Sequence, residues 1–313
     1  MFESARRYRL YGLTLASHIE LPCRRAGQRA RVDVCLVEGT PAEFARARAR
    51  AGRLPRDWFH CRRLPDGAVY LRWRGNFEFL VSADGRHIRY HRNTRATLES
   101  LTVYLLAQVL SFPLLARGSD PLHGTSVAVG HEAVAFVGDC GYGKSTLGAA
   151  MLARGCPIVA DDLVSLQRRG ARWLVHPGIP RLKLEPRVAA QLVGSPVRGE
   201  RMIRGAAKRV IPLAASQSVA SARPLKAIYV LTAPRRRGPI SVEPLSPRDG
   251  CLEIIRAAFN LVVHDRGRYA NQFRVASHLA GAVPVRRLAY PRAIGCLPAI
   301  CDAVLADLAA LPE

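Results

Sequence analysis

Lysine is nearly missing from this chain. Of its 47 basic residues, only Lys144, Lys183, Lys208 and Lys226 are lysine. Acidic residues are few as well, 24 in 313 positions, which leaves a formal charge of +23. No run of 18 apolar residues occurs, so no membrane span is expected. The segment from Met1 to Arg7 lacks the apolar core of a secretory signal. The eight cysteines form no C-x-x-C pair, and none groups with histidines at zinc spacing. Reduced, mostly buried thiols are therefore expected, without a redox pair or a structural zinc site. No internal repeat is present. Together these absences point to a cytoplasmic globular protein with one large core or two modest ones.

The positive charge has two readings. It attracts an acidic partner, or it reflects an arginine-rich composition on a solvated surface. The second explains why arginine so outnumbers lysine. Where composition favours arginine this strongly, a retained lysine suggests a need for a compact ammonium. Lys144 is the sole lysine in the first 182 residues.

Lys144 lies in the segment Gly138-Asp139-Cys140-Gly141-Tyr142-Gly143-Lys144-Ser145-Thr146, which fits G-x-x-x-x-G-K-[ST], the phosphate-binding loop pattern. Glycines let such a loop curl its backbone N–H groups around a phosphate chain. The lysine reaches the β- and γ-phosphates, and the Ser145 hydroxyl can ligate Mg²⁺. The context fits: Ala133 to Val137 reads as a buried strand and Ser145 to Arg154 as a helix, with Gly155 as its left-handed stop. A helix N-terminus adds orphan N–H groups and a positive dipole end. Cys140 sits inside the loop, where a thiol reagent would obstruct nucleotide binding.

Pro157 to Asp162 reads as a short apolar strand ending in two carboxylates, Asp161 and Asp162. Strand, loop, helix and strand within this stretch make a βαβ unit, which places both carboxylates at the same sheet edge as the loop. One carboxylate can hold Mg²⁺ and the other can accept a hydroxyl proton; a helix N-cap is the plainer alternative. His123 falls in a loop before the strand, where a lone histidine carries no signal by itself. Arg181, with Lys208 or Arg209, could balance transition-state charge.

The first ~95 residues read as strands and turns, with a hairpin around Arg74-Gly75-Asn76. Pro41 to Arg50 reads as a short helix or a loop, with Arg46, Arg48 and Arg50 on a solvated face. Thr94 to Ala116 reads as one long helix bridging two parts, striped by Leu98, Leu101, Leu105 and Val109. Pro196 to Arg209 reads as a basic, mobile stretch, and the tail from Asp249 as largely helical around a strand at Val285 to Leu288. Two domains are expected: a β-rich α+β domain over 1–95 and an α/β catalytic domain over 96–313.

His123-Gly124, the loop and Val159-Ala160-Asp161-Asp162 together resemble HPr kinase/phosphorylase, tightly over residues ~120–170. The resemblance implies a P-loop kinase fold, ATP and Mg²⁺ as cofactors, and transfer of the γ-phosphate to a serine hydroxyl. It implies His123 near the phosphates, Asp161 as general base and Asp162 with Ser145 on the metal. It also implies a homo-oligomer. Two departures point away from HPr as acceptor: Thr146 stands where that family has Glu, and the E-I-R-G-L-G segment is replaced by His176 to Lys183. Tyr11-Gly12-Leu13, Ile19-Glu20-Leu21-Pro22, Pro180-Arg181-Leu182 and Leu288-Ala289-Tyr290-Pro291-Arg292 are similar to a divergent branch of HPr kinase-like proteins. Some of that branch phosphorylate the C-terminal serine of a lasso-peptide precursor. The expectation is thus an ATP-dependent serine kinase acting on a precursor peptide, with neither membrane nor nucleic acid as partner. The alternatives are an HPr(Ser) kinase/phosphorylase and a non-enzymatic, nucleotide-gated regulator binding an acidic partner.

Overall fold

The computed structural model describes residues 5–53, 56–94, 96–194, 207–260 and 262–312. Its architecture is mixed α/β, and the chain divides into two compact units, Met1–Ser119 and Asp120–Glu313.

The first unit is built on one sheet. In chain order it contains β1 (Arg6–Leu10), β2 (Leu13–Ser17), β3 (Arg24–Arg25), β4 (Val34–Glu38), α1 (Pro41–Ala51), β5 (Phe59–Arg63), β6 (Val69–Trp73), β7 (Phe77–Val81) and β8 (His87–Arg92). The strand order is β3-β1-β2-β4-β8-β7-β6-β5. The Tyr11-Gly12 turn between β1 and β2 has both residues at positive φ, 55° and 83°, as a two-residue hairpin turn requires. Pro41–Ala51 is a helix because Thr40 and Glu43 form a reciprocal capping box. Its arginines are not all simply solvated: Arg48 pairs with Glu78 and Arg50 with Asp66.

The helix expected over 94–116 is interrupted. It consists of α2 (Leu98–Tyr104), a π-helical turn (Leu105–Val109) and α3 (Ser111–Ala116). Pro113 has no N–H to give the Val109 carbonyl, and just before it the ladder slips to a longer step, Leu110 N–H to Leu105 O at 3.0 Å. Leu98–Ala116 is long and apolar enough to cross a membrane by composition, with mean hydropathy 1.5, yet two thirds of it is buried within the protein. Tyr104 lies against Trp73 and Phe77, with ring centroids at 4.9 and 5.2 Å. The Arg117 guanidinium donates to Asp33 O and Gly85 O. These contacts tie the helix to the first sheet, so the boundary falls between Ser119 and Asp120 rather than at 95/96.

The second unit contains β9 (Leu122–Val129), β10 (Glu132–Val137), α4 (Lys144–Ala153), β11 (Ile158–Arg169), β12 (Arg172–His176), β13 (Arg181–Leu184), α5 (Pro186–Val193), β14 (Arg209–Pro212), β15 (Arg223–Leu231), β16 (Ser241–Pro244), α6 (Pro247–Arg256), α7 (Arg266–Ala282), β17 (Val285–Ala289) and α8 (Leu297–Ala310). Its main sheet runs β10-β9-β11-β12-β15-β17-β16, with β10 also paired in parallel to β15. Phe136 and Tyr229 face a cluster with Leu147 and Met151 of α4 and Ile300 and Val304 of α8. The alternate residues Val137 and Ile228 face Ile254 of α6 and Leu279 of α7. This alternation buries both sheet faces under helices. Of the expected mobile stretch 196–209, residues 196–206 lie outside the described residues.

Candidate functional site

The site is assembled where β9, β10 and β11 lie side by side. β9 runs antiparallel to both neighbours, so β10 and β11 are parallel with β9 between them. In register, Gly124 faces Val137 on one side and Asp162 on the other. A Cβ on Gly124 would stand 2.8 Å from the Phe136 carbonyl oxygen, so only glycine fits between them.

From Val137 the chain enters the glycine-rich loop, with Gly138, Gly141 and Gly143 at φ of 139°, 86° and 95°. These left-handed values are why glycine recurs here. α4 begins directly at Lys144, and Leu147 N–H closes its first turn on Gly143 O at 2.8 Å. The Lys144 ammonium folds back over its own loop, donating to Gly138 O at 2.7 Å and Asp139 O at 2.9 Å. Burial lowers its pKa, and the charge of Lys208 adds to this. Tyr290 closes the far side, donating from its hydroxyl to Tyr142 O at 3.3 Å. Ser145 and Thr146 follow in the first turn of α4, and Cys140 is exposed.

Asp161 and Asp162 sit in the middle of β11 and not at a strand end, because the strand continues to Arg169 and pairs onward with β12. Asp161 is buried, 7% exposed. Its Oδ1 accepts from the Thr125 hydroxyl at 2.7 Å and its Oδ2 from the Lys183 backbone N–H at 2.9 Å. Asp162 takes a left-handed φ of 76°, uncommon for aspartate within a strand. Its Oδ2 accepts from the Lys183 ammonium at 2.5 Å. Burial works against its charge, but Lys183, His123 and Arg181 prevail and hold its carboxyl at about 2.

His123 lies within β9 rather than in a loop. Its Nδ1 stands 3.1 Å from Asp162 O and 3.8 Å from Asp162 Oδ1. A carbonyl only accepts, so Nδ1 carries the proton and Nε2 keeps the lone pair of the neutral ring. Burial, reinforced by Lys144, depresses its pKa below the ordinary 6.5.

Leu182 and Leu184 of β13 anchor in the apolar cluster with Leu147. The alternate residues Arg181 and Lys183 are each 7% exposed, and Lys183 meets both aspartates. Lys208 contributes charge at Lys144, and Arg209 opens β14 opposite Leu184. His123, Lys144, Asp161, Asp162 and the charges of Arg181 and Lys208 thus form one electrostatic neighbourhood. Two residues escaped the sequence reading. Lys183 had a signal, being one of four lysines. Thr125 had none, as a polar residue in an apolar strand.

Oxygen donors suit Mg²⁺, which one or two carboxylates hold together with phosphate oxygens and water. The described residues contain no group of three or more His, Cys, Asp or Glu that would cage an ion without a substrate. All eight cysteines are free, but only Cys156, Cys251 and Cys301 are buried, fewer than expected.

Neither family models nor curated proteins give a match to this chain. Among solved structures it is similar to the HPr(Ser) kinase/phosphatase from Coxiella burnetii, at 12% identity and a TM-score of 0.33, over 60% of this chain and 95% of that one.

Proposed function

We propose that the chain is an ATP-dependent kinase that transfers the γ-phosphate to a serine hydroxyl of a peptide. The observation that carries this reading is the meeting of two features: the glycine-rich loop capped by Lys144, and a carboxylate pair on β11 that Gly124 separates from the start of that loop by one strand. The loop supplies inward N–H groups and an ammonium for a polyphosphate.

The acceptor oxygen bonds to the γ-phosphorus, the bond from that phosphorus to the β–γ bridging oxygen breaks, and ADP leaves. The hydroxyl proton passes to a carboxylate. Asp161 is the base in this reading: Thr125 and Lys183 fix its two oxygens, and each oxygen keeps a second lone pair. Ser145 and Asp162 would hold Mg²⁺, which when bound neutralises phosphate charge. Lys144 would leave the loop carbonyls for the phosphates, and Arg181 would offset charge near Asp162. Neutral His123 orients Asp162 through its backbone oxygen. The reverse assignment, Asp162 as base, is favoured by one fact: the Asp162 side chain is 23% exposed, whereas Asp161 is buried.

The motif resemblance makes the C-terminal serine of a lasso-peptide precursor the preferred acceptor, ahead of HPr. Incubation with γ-labelled ATP and peptides ending in serine tests this. Label on the terminal serine, lost with Asp161→Asn, is expected. Tight ATP binding without transfer to any peptide or to HPr would favour a nucleotide-gated regulator instead. Mg²⁺ binding in the presence of a non-hydrolysable ATP analogue, lost in Asp162→Asn and kept in Asp161→Asn, separates the two carboxylate roles.

A further inference from the structure

Three parallel strands end where the glycine-rich loop begins. β15 pairs in parallel with β10, and β17 with β15, so the segments after Leu231 and after Ala289 leave the sheet at the same edge as the loop. The two segments are joined there: the Arg292 backbone N–H donates to Arg235 O at 2.8 Å. Both also abut the loop. A Cβ on Gly138 would stand 2.9 Å from Leu231 O, and the Tyr290 hydroxyl donates to Tyr142 O at 3.3 Å.

The carboxylates lie on the opposite side. β10 stands between β15 and β9, and Asp161 and Asp162 are on β11, beyond β9. On the kinase reading above, the γ-phosphate on the loop faces those carboxylates, so the nucleoside end extends toward β15 and β17. Residues 232–240 and 290–296 supply this edge with Arg235, Arg236, Arg237, Arg292 and the ring of Tyr290, but with no Asp, Glu, Asn or Gln. Carboxylates and amides are the side chains that pair with the edge of a purine, whereas a guanidinium lies flat on a ring face. The backbone donors of Thr232, Arg292, Ala293 and Cys296 are already bonded within the protein. The Arg292 side chain is exposed, and among the described residues no hydrogen bond or ion pair engages its guanidinium.

We infer that the nucleoside is held at this edge by its ring face, with the Arg292 guanidinium stacked on the purine, and that adenine and guanine nucleotides are accepted alike. Stacking uses the π-face that both purines share. Exchanging the 6-amino group of adenine for the 6-oxo and 2-amino groups of guanine breaks no side-chain pairing, because these segments offer none. The phosphates remain the business of the loop and Lys144.

Calorimetric titration of the full chain with Mg²⁺ and either tripolyphosphate or a non-hydrolysable analogue of ATP or GTP tests this. The two analogues should bind within about threefold of each other, and each about tenfold tighter than tripolyphosphate. In Arg292→Ala that advantage over tripolyphosphate should shrink to about threefold or less, a ratio that cancels the loss of one positive charge. Melting curves check the fold of the variant; Arg292→Lys, which keeps the charge without the planar face, should lose most of the same advantage. A preference above about tenfold for one purine, or an advantage that survives in both variants, would overturn the inference. Tripolyphosphate bound as tightly as the nucleotides would overturn the nucleoside site alone, and no binding of any of the three would overturn the phosphate-holding loop together with it.

Discussion

The Lys183 ammonium donates to Asp162 Oδ2 at 2.5 Å, while the backbone N–H of the same residue donates to Asp161 Oδ2 at 2.9 Å. One residue of β13 therefore positions both carboxylates of β11. The ammonium is nearly buried, with its side chain 9% exposed, and the Asp162 side chain is 23% exposed. Removing one partner of such a pair leaves a desolvated charge.

Lys183→Met should destabilise the protein by roughly 2 kcal/mol, less than the ~3–5 of a fully buried pair because water reaches Asp162. Adding Asp162→Asn should recover much of the loss. Urea unfolding of the wild type, both single variants and the double variant measures the coupling directly. Additive losses would show that the pair contributes nothing.

The pair also sets an acid limit. The folded carboxyl of Asp162 is held at about 2, below its ordinary value of 3.8. Its ionised form therefore stabilises the fold above pH ~4, and that contribution fades as pH falls from ~4 to ~2. Asp162→Asn should flatten the stability profile in this window.

His123 works in the same direction at higher pH. Its folded pKa lies below 6.5, so the unfolded chain binds the proton more readily. The contribution is complete above pH ~6.5 and declines as pH falls through the folded value. Titration of the His123 ring protons by NMR should give a midpoint below 6.5, and a midpoint above it would contradict the half-buried neutral ring.

Gly148 of α4 packs on Thr125 so closely that a Cβ would stand 2.5 Å from Thr125 Cγ2. Alanine there would gain helix propensity of up to ~1 kcal/mol, yet overpacking costs about 1–3 kcal/mol. Gly148→Ala should therefore destabilise the fold and loosen the Thr125 hydroxyl from Asp161. Thr125→Ser removes the methyl, keeps the hydroxyl and should rescue it, as thermal melts of both variants would show.

Much of this site could be read from the sequence, because its parts are local. The strand at Ala133 to Val137, the glycines and the helix after them follow from periodicity and from the φ values such a loop needs. Gly155, at φ 82°, ends the helix as expected. What could not be read is tertiary. β11 runs past its aspartates because β12 pairs with its second half, and no residue near Asp162 announces that pairing. His123 reads as loop in the sequence, yet it lies within β9, where Gly124 serves close strand packing. Lys183 meets Asp162 across 21 positions of sequence, a contact that only its rarity as a lysine foreshadowed.

The most direct test of the central claim is calorimetric titration of the wild type and of Lys144→Ala with Mg²⁺ and a non-hydrolysable ATP analogue, alongside melting curves of both. Among the described residues Lys144 donates only to carbonyls of its own loop, so its loss should spare the fold. Saturable binding by the wild type, weakened at least tenfold in a variant that melts normally, is the predicted result. Equal affinity in the two proteins, or no binding by either, would contradict a phosphate-holding loop at Gly138 to Thr146.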